Sequence, residues 1–380
     1  MKRVLFVVAA LVVTFVLVYA APAKISKAHP SSHDAASPQT SAACTPPTVV
    51  GNSPEQTAWQ LFVAATCPVN SNKYPYVTWQ NWIEQDQLYT PSGEVKNLAE
   101  GERPRFHMSP LARIMQERRA PKGKKKGLPQ VANQDCNSQT WSKRTICEEA
   151  RLNLSAQTYI SSNKLTTLVG QEAFVAAGNT FQFPAPGVEI KADWIQLTTC
   201  NNPPQGVHVE AITSGGTTTC YALGGIHLIS KLIDNWIWAT FEPQNATTNP
   251  QRCVVLGCKD PYGSNPPTSK GASTQLTAAL ASLMKQANLA AEWLNYRLDG
   301  VQTTFGTKTK PTILGNSIIE GDNAGNPTLM KSASCITCHD LSTINAQGQH
   351  LPINFIVGPP AKLPPGYVRR DFVWSLLLAQ

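Results

Sequence analysis

Cys335-Ile336-Thr337-Cys338-His339 sets two thiols and an imidazole at a spacing suited to one kind of chemistry. Each thiol can form a thioether to a vinyl group of a single porphyrin, and the adjacent histidine stands where it can ligate iron, which is the C-x-x-C-H pattern of covalent c-type haem attachment. In 380 residues with ten cysteines and seven histidines, chance would produce the pattern about 0.005 times, so coincidence is a poor account of it. The same residues are compatible with a dithiol redox pair, a zinc half-site, or two structural cysteines beside an unrelated histidine. Zinc would need more ligands, and Cys253 and Cys258 are the only other closely spaced thiols.

A haem with Cys335 and Cys338 as covalent anchors and His339 as proximal ligand raises the question of the sixth iron position. In small soluble cytochromes c a downstream methionine fills it, but no methionine follows His339. Met330, just before the motif, would have to fold back across the ring, and Met284 reads as ordinary core. His107 and Met108 read as loop residues, and His208, alternating within Val207-His208-Val209, reads as solvent-facing. His350 lies close by in sequence. His227 stands apart in the apolar run Gly224-Gly225-Ile226-His227-Leu228-Ile229, whose glycines admit close approach of a backbone or ring. It is the candidate distal residue, with a core histidine bonded to a carbonyl as the equal alternative and Lys231 as a weaker rival. Six-coordinate iron serves electron transfer, whereas an open distal face takes a small ligand or peroxide. In the second case Asp193, Glu242 and His227 are candidate acid–base groups. The two carboxylates are equally readable as structural, Glu242 satisfying backbone donors and Asp193 lying on the wet side of its strand.

The elements that must position these residues are mixed. Ala58 to Ala65 has the pattern of an amphipathic helix, and Tyr76, Trp79, Trp82 and Tyr89 follow as an aromatic cluster for the core. Residues 188–197 alternate apolar and polar side chains up to Ile195, the mark of a half-buried strand. Tyr221 to Ile229 and Trp236 to Phe241 are rich in aromatic and β-branched residues and extend a sheet. Leucines and alanines from Leu276 to Leu298 recur at helical spacing, which predicts one helix over about 273–299 ended by Gly300. Ile313 to Glu320 reads as a short apolar element and Gly321 to Pro327 as a turn-rich loop. The haem motif is expected to open a helix that breaks up before Pro352.

Met1-Lys2-Arg3, an apolar run from Val4 to Val18 and small residues at Val18-Tyr19-Ala20 predict an export signal over residues 1–20. An uncleaved membrane anchor is the rival, because the run extends to Ala23 and approaches the ~20 residues that span a bilayer. Residues 21–48, rich in Ala, Pro, Ser and Thr, read as a disordered linker, with His29 and His33 as solvated tail residues. Export to the periplasm favours disulfides among the eight remaining cysteines, and pairing of sequence neighbours is expected: Cys44–Cys67, Cys136–Cys147, Cys200–Cys220 and Cys253–Cys258. The formal charge of +8 comes largely from Arg118, Arg119, Lys122, Lys124, Lys125 and Lys126. Such a stretch is a solvated insertion or a docking patch for an acidic redox partner or anionic lipid. Export argues against nucleic acid, and membrane contact follows only from an uncleaved anchor.

The order of segments resembles a group of exported proteobacterial cytochrome c family proteins, larger than ordinary cytochromes c and with one C-terminal haem motif. The resemblance is carried by Ala58-Trp59-Gln60-Leu61-Phe62, Ile190-Lys191-Ala192-Asp193-Trp194, residues 225–231, residues 236–242, Asn316-Ser317-Ile318-Ile319-Glu320, residues 334–339 and residues 371–376. The chain departs from that pattern at Pro243, where a histidine is expected after Glu242. The resemblance implies haem c, electron transfer and no known substrate. The expected architecture is α+β: a single large domain over 49–380, with a central β region and a helical haem-binding segment at about 310–380. The expected activity is periplasmic electron transfer to or from a partner protein, with a peroxidase- or oxygenase-like haem enzyme as the alternative.

Overall fold

The computed structural model describes residues 41–69, 76–90, 92–96, 136, 138, 140–214, 216–244, 248–271, 273–326, 328–352 and 357–379. The expected signal segment, most of the linker with His29 and His33, and His107, Met108 and the basic stretch 118–126 lie outside these residues. Ser41 to Cys44 already belong to the fold: Ala42–Cys44 form a 3-10 turn, and Cys44 is bonded to Cys67. The other three disulfides, Cys136–Cys147, Cys200–Cys220 and Cys253–Cys258, also join sequence neighbours as expected. Closing such short loops is worth about 2–4 kcal/mol apiece in the chain-entropy account.

A seven-stranded antiparallel sheet organises the chain. Its strands are β1 (Ile83–Glu84), β2 (Ile146–Leu152), β3 (Val188–Gln196), β4 (Val209–Ser214), β5 (Thr217–Ser230), β6 (Ile237–Pro243) and β7 (Tyr296–Gln302). The spatial order is β7-β6-β5-β3-β2-β1, with β4 pairing β5 as well. Asp193 pairs with Gly225 but Trp194 with Leu223, so Gly224 bulges out of the ladder.

One face of this sheet is covered by α1 (Pro54–Thr66) and α4 (Ala278–Gln286). α1 starts where the Ser53 side chain accepts from Gln56 N at 3.1 Å and Pro54 supplies a preset first turn. It is buried on nearly every side from Thr57 to Thr66 rather than amphipathic. Trp59, Phe62, Phe241, Trp293 and Tyr296 meet there, with Phe62 stacked on Phe241 at 4.4 Å. The opposite face is covered by α2 (Leu154–Ser162), α3 (Leu168–Ala176) and the C-terminal segment, whose Ile336, Ile344, Phe372, Val373 and Leu376 share a second core with Ile229 and Trp238.

Two expected helices are shorter than their patterns suggested. α4 stops at Gln286 because Asn288 turns left-handed (φ 51°), a conformation asparagine tolerates at helix ends. The chain then reverses and residues 296–302 pair with β6, with Gly300 at a bulge in the strand rather than at a helix end. At the C-terminus the helix opened by the motif spans only Cys335–His339 (α5); Thr343–Asn345 (β8) pairs with Tyr367–Arg369 (β9). β-branched Thr343 and Ile344, both fully buried, suit the strand. Residues 317–323, expected as an apolar element followed by a loop, form a π-helical turn. Among the described residues no helix is long and apolar enough to cross a membrane.

Candidate functional site

α5 presents Cys335, Cys338 and His339 to a cavity of about 1170 Å³ of atom-free space, partly open to solvent. Cys335 and Cys338 are the free thiols of the described chain; the other described cysteines are in disulfides. Burial pushes the Cys338 thiol up to about 12 and Cys335 well above the ordinary range, and Glu320 adds to both. Reactive dithiols and thiolate metal ligands need the reverse, an environment that favours the anion. An uncharged thioether has no such need.

His339 Nδ1 donates to the Phe372 carbonyl oxygen at 2.7 Å, which leaves the Nε2 lone pair for ligation. Burial lowers this imidazole to about 3, so it is neutral across the physiological range. Trp238 packs on the ring at 4.5 Å between centroids. The carbonyl that orients it stands in an unusual turn: Asp371 and Phe372 both have positive φ, 50° and 68°. Such a turn persists only when its surroundings fix it. Asp371 Oδ2 accepts from Phe183 N at 2.7 Å, and Asp371 Oδ1 accepts from the buried Lys231 at 2.7 Å. Lys231 therefore clamps the turn that orients His339 and does not border the cavity.

The cavity floor is the sheet itself. Along β3, Val188, Ile190, Ala192 and Trp194 face the α1 core, while Glu189 and Lys191 line the cavity. Register aligns Ala150 with Lys191, Lys191 with His227, and His227 with Thr240, so one row crosses four strands beneath the motif. Lys191 Nζ lies 2.7 Å from Glu148 Oε2. Burial pulls Lys191 down, but Glu148 and Asp193 outweigh it and hold the ammonium above its usual range. Glu189, bonded to Ser375 Oγ at 3.2 Å, is pushed by burial up to about 7. Gln85 also borders the cavity, and its Nε2 is buried without a partner among the described residues.

His227 Nε2 lies 3.0 and 3.2 Å from the two carboxylate oxygens of Glu320. Burial alone would raise Glu320, yet His227, Lys191 and the Asn316 backbone donor together hold it below the usual carboxylate value. Gly225 makes this contact possible: a Cβ there would come within 2.6 Å of Asn316 Oδ1. Asn316 caps the π-helical turn by accepting from Ile318 N and Ile319 N, while Glu320 Oε2 accepts from Asn316 N at 2.7 Å. Glu242 accepts from Ser317 N and Oγ at the start of the turn, and Asp193 from Asn323 Nδ2 at its end.

The structure thus brings Cys335, Cys338, His339 and His227 to one cavity. Asp193 and Glu242 do not line it; both brace the turn that carries Glu320. Asp193 is fully buried rather than wet, and burial raises its carboxyl above the usual range although Lys191 opposes the shift. His208 is likewise buried, stacked on Trp293 at 4.5 Å between Glu210 and Glu292, because its ring passes under the 291–295 turn. Met284 and Met330 are core residues and His350 is exposed; none borders the cavity. Glu148, Lys191 and Glu189 are site residues that sequence reading missed. For Glu189 and Lys191 the signal was present as the polar half of the alternation over 188–197, read as a half-buried strand; the strand carrying Glu148 has no alternation and was not read.

These residues fit a covalently held haem: two uncharged thiols and a neutral histidine with Nδ1 engaged, all bordering one cavity. Comparison with protein families, with curated proteins and with solved structures finds no match to this chain.

Proposed function

We propose that the protein is an exported c-type haem protein of the kind its segments resemble, acting in periplasmic electron transfer. Cys335 and Cys338 would hold the haem and His339 would ligate its iron. One observation carries the reading: the two cysteines left out of disulfides face a cavity beside a neutral histidine whose Nδ1 already donates to a carbonyl. Bound there, the iron would take up and release one electron. The chain's own contribution is to orient His339 through Phe372, to exclude water with Trp238 and Trp374, and to set the local charge through Lys191 and its carboxylates. Residues 1–20 would direct export, consistent with four disulfides, and the basic stretch 118–126 would attract an acidic redox partner. A zinc reading finds little support, since Cys253 and Cys258 are bonded to each other.

The test is expression with the cytochrome c maturation machinery. The protein should remain red after acid–acetone extraction, and replacing both Cys335 and Cys338 by Ser should leave the pigment extractable. A colourless wild-type protein would overturn the reading. A second reading, a haem enzyme with an open distal face, is favoured by the His227–Glu320 pair: the imidazole nitrogen that reaches the carboxylate is not free for iron.

A further inference from the structure

Four ionisable groups of the cavity floor come in two pairs, Lys191 with Glu148 and His227 with Glu320, while Glu189 bonds Ser375. Both hydrogen bonds of the His227 ring use Nε2, so Nδ1 has no partner among the described residues. Glu320 is fixed in turn: its Oε2 accepts from Asn316 N, and the turn that carries it is tied to the sheet by Glu242 and Asp193. A neutral imidazole whose Nε2–H is held by a fixed carboxylate has its tautomer set, with the lone pair on Nδ1. It can take a proton there without reorienting.

Resting on the haem reading of the same cavity, we propose that His227 is a distal proton acceptor oriented by Glu320. The site would take a small neutral protic molecule, H–X, of the hydrogen cyanide or hydrogen peroxide type, that binds as its conjugate base. The H–X bond breaks, its electron pair stays on X, and the proton forms a new bond to His227 Nδ1. No oxidant or reductant enters. Glu320 is a positioning residue, acting through His227.

Cyanide association with the ferric holoprotein at neutral pH, where the probe is mainly HCN, tests this against carbon monoxide association with the ferrous protein, which transfers no proton. His227→Ala and Glu320→Gln should each slow cyanide binding by roughly 100-fold, the scale of general-base assistance, and leave carbon monoxide binding little changed. Glu320→Asp should recover part of the cyanide rate. The proposal is overturned by a wild-type spectrum that is low-spin and inert to cyanide, by a Glu320→Gln rate equal to wild type, or by equal slowing of both ligands. Because haem content is read in the same samples, loss of covalent pigment from the wild type marks failure of the haem reading itself, and overturns both.

Discussion

The two faces of the central sheet are built from the same strands and do opposite work. Toward α1 and α4 the sheet presents Val188, Ile190, Trp194 and Phe241 to a dry aromatic core. Toward α5 it presents Glu148, Glu189, Lys191 and His227 to a cavity. Strand alternation supplies both sets, since successive side chains point to opposite faces. The first face carries stability through burial, whereas the second holds ionisable groups at a cost in desolvation that their pairing offsets. Charged residues are tolerated there because Lys191 meets Glu148 and His227 meets Glu320, and because the dry face holds the strands in register.

That division can be broken at several points. The largest effect is expected on the dry face: Phe241→Ala should cost about 3–5 kcal/mol, because the ring is fully buried against Phe62 and Trp59. Denaturant unfolding measures the loss. The absorption spectrum of the folded variant should match wild type, and a shifted spectrum would show that the faces are not independent.

Gly225→Ala strikes the point where the sheet meets the Glu320 turn. The new methyl would clash with Asn316 Oδ1 and should cost about 1–3 kcal/mol. It should also loosen Glu320 from His227 and slow cyanide binding, which a purely structural defect elsewhere would not do.

The smallest effect belongs to Glu189→Gln. Burial raises the Glu189 carboxyl to about 7, so between the unfolded value of about 4.3 and that point the folded state binds more protons than the unfolded one. Its contribution to stability is therefore complete below the unfolded value and lost as pH rises through about 7. The glutamine variant should lose less stability than wild type between pH 5 and pH 8, a difference on the order of 2 °C in Tm. Parallel Tm curves would contradict this assignment.

Local chemistry was legible wherever neighbours in sequence are neighbours in space. The grouping of Cys335, Cys338 and His339 at one cavity, the four disulfides between adjacent cysteines and the run of strands from Val188 to Phe241 are all of this kind. The helix over 273–299 was not, because helical spacing persisted past Asn288 while edge pairing with β6 captured residues 296–302. Asp193 and His208 were misread for a shared reason: alternation reports that two faces differ, and it does not say whether the polar one meets water or an internal site. Lys231 was a weaker rival to His227 by sequence position, and only the fold shows Asp371 holding it from 140 residues away.

By itself the sequence determined the pair of thiols, the histidine beside them and the oxidised cysteine framework, because covalent and local chemistry depends on residue type and spacing. Tertiary structure alone decided what faces that histidine. Glu320 reaches His227 across 93 residues, Lys191 joins the same row through strand register, and Phe372 orients His339 from a turn held by Lys231. Such contacts are set by sheet register and by the packing of a glycine against an asparagine side chain, and neither has a signature in local spacing.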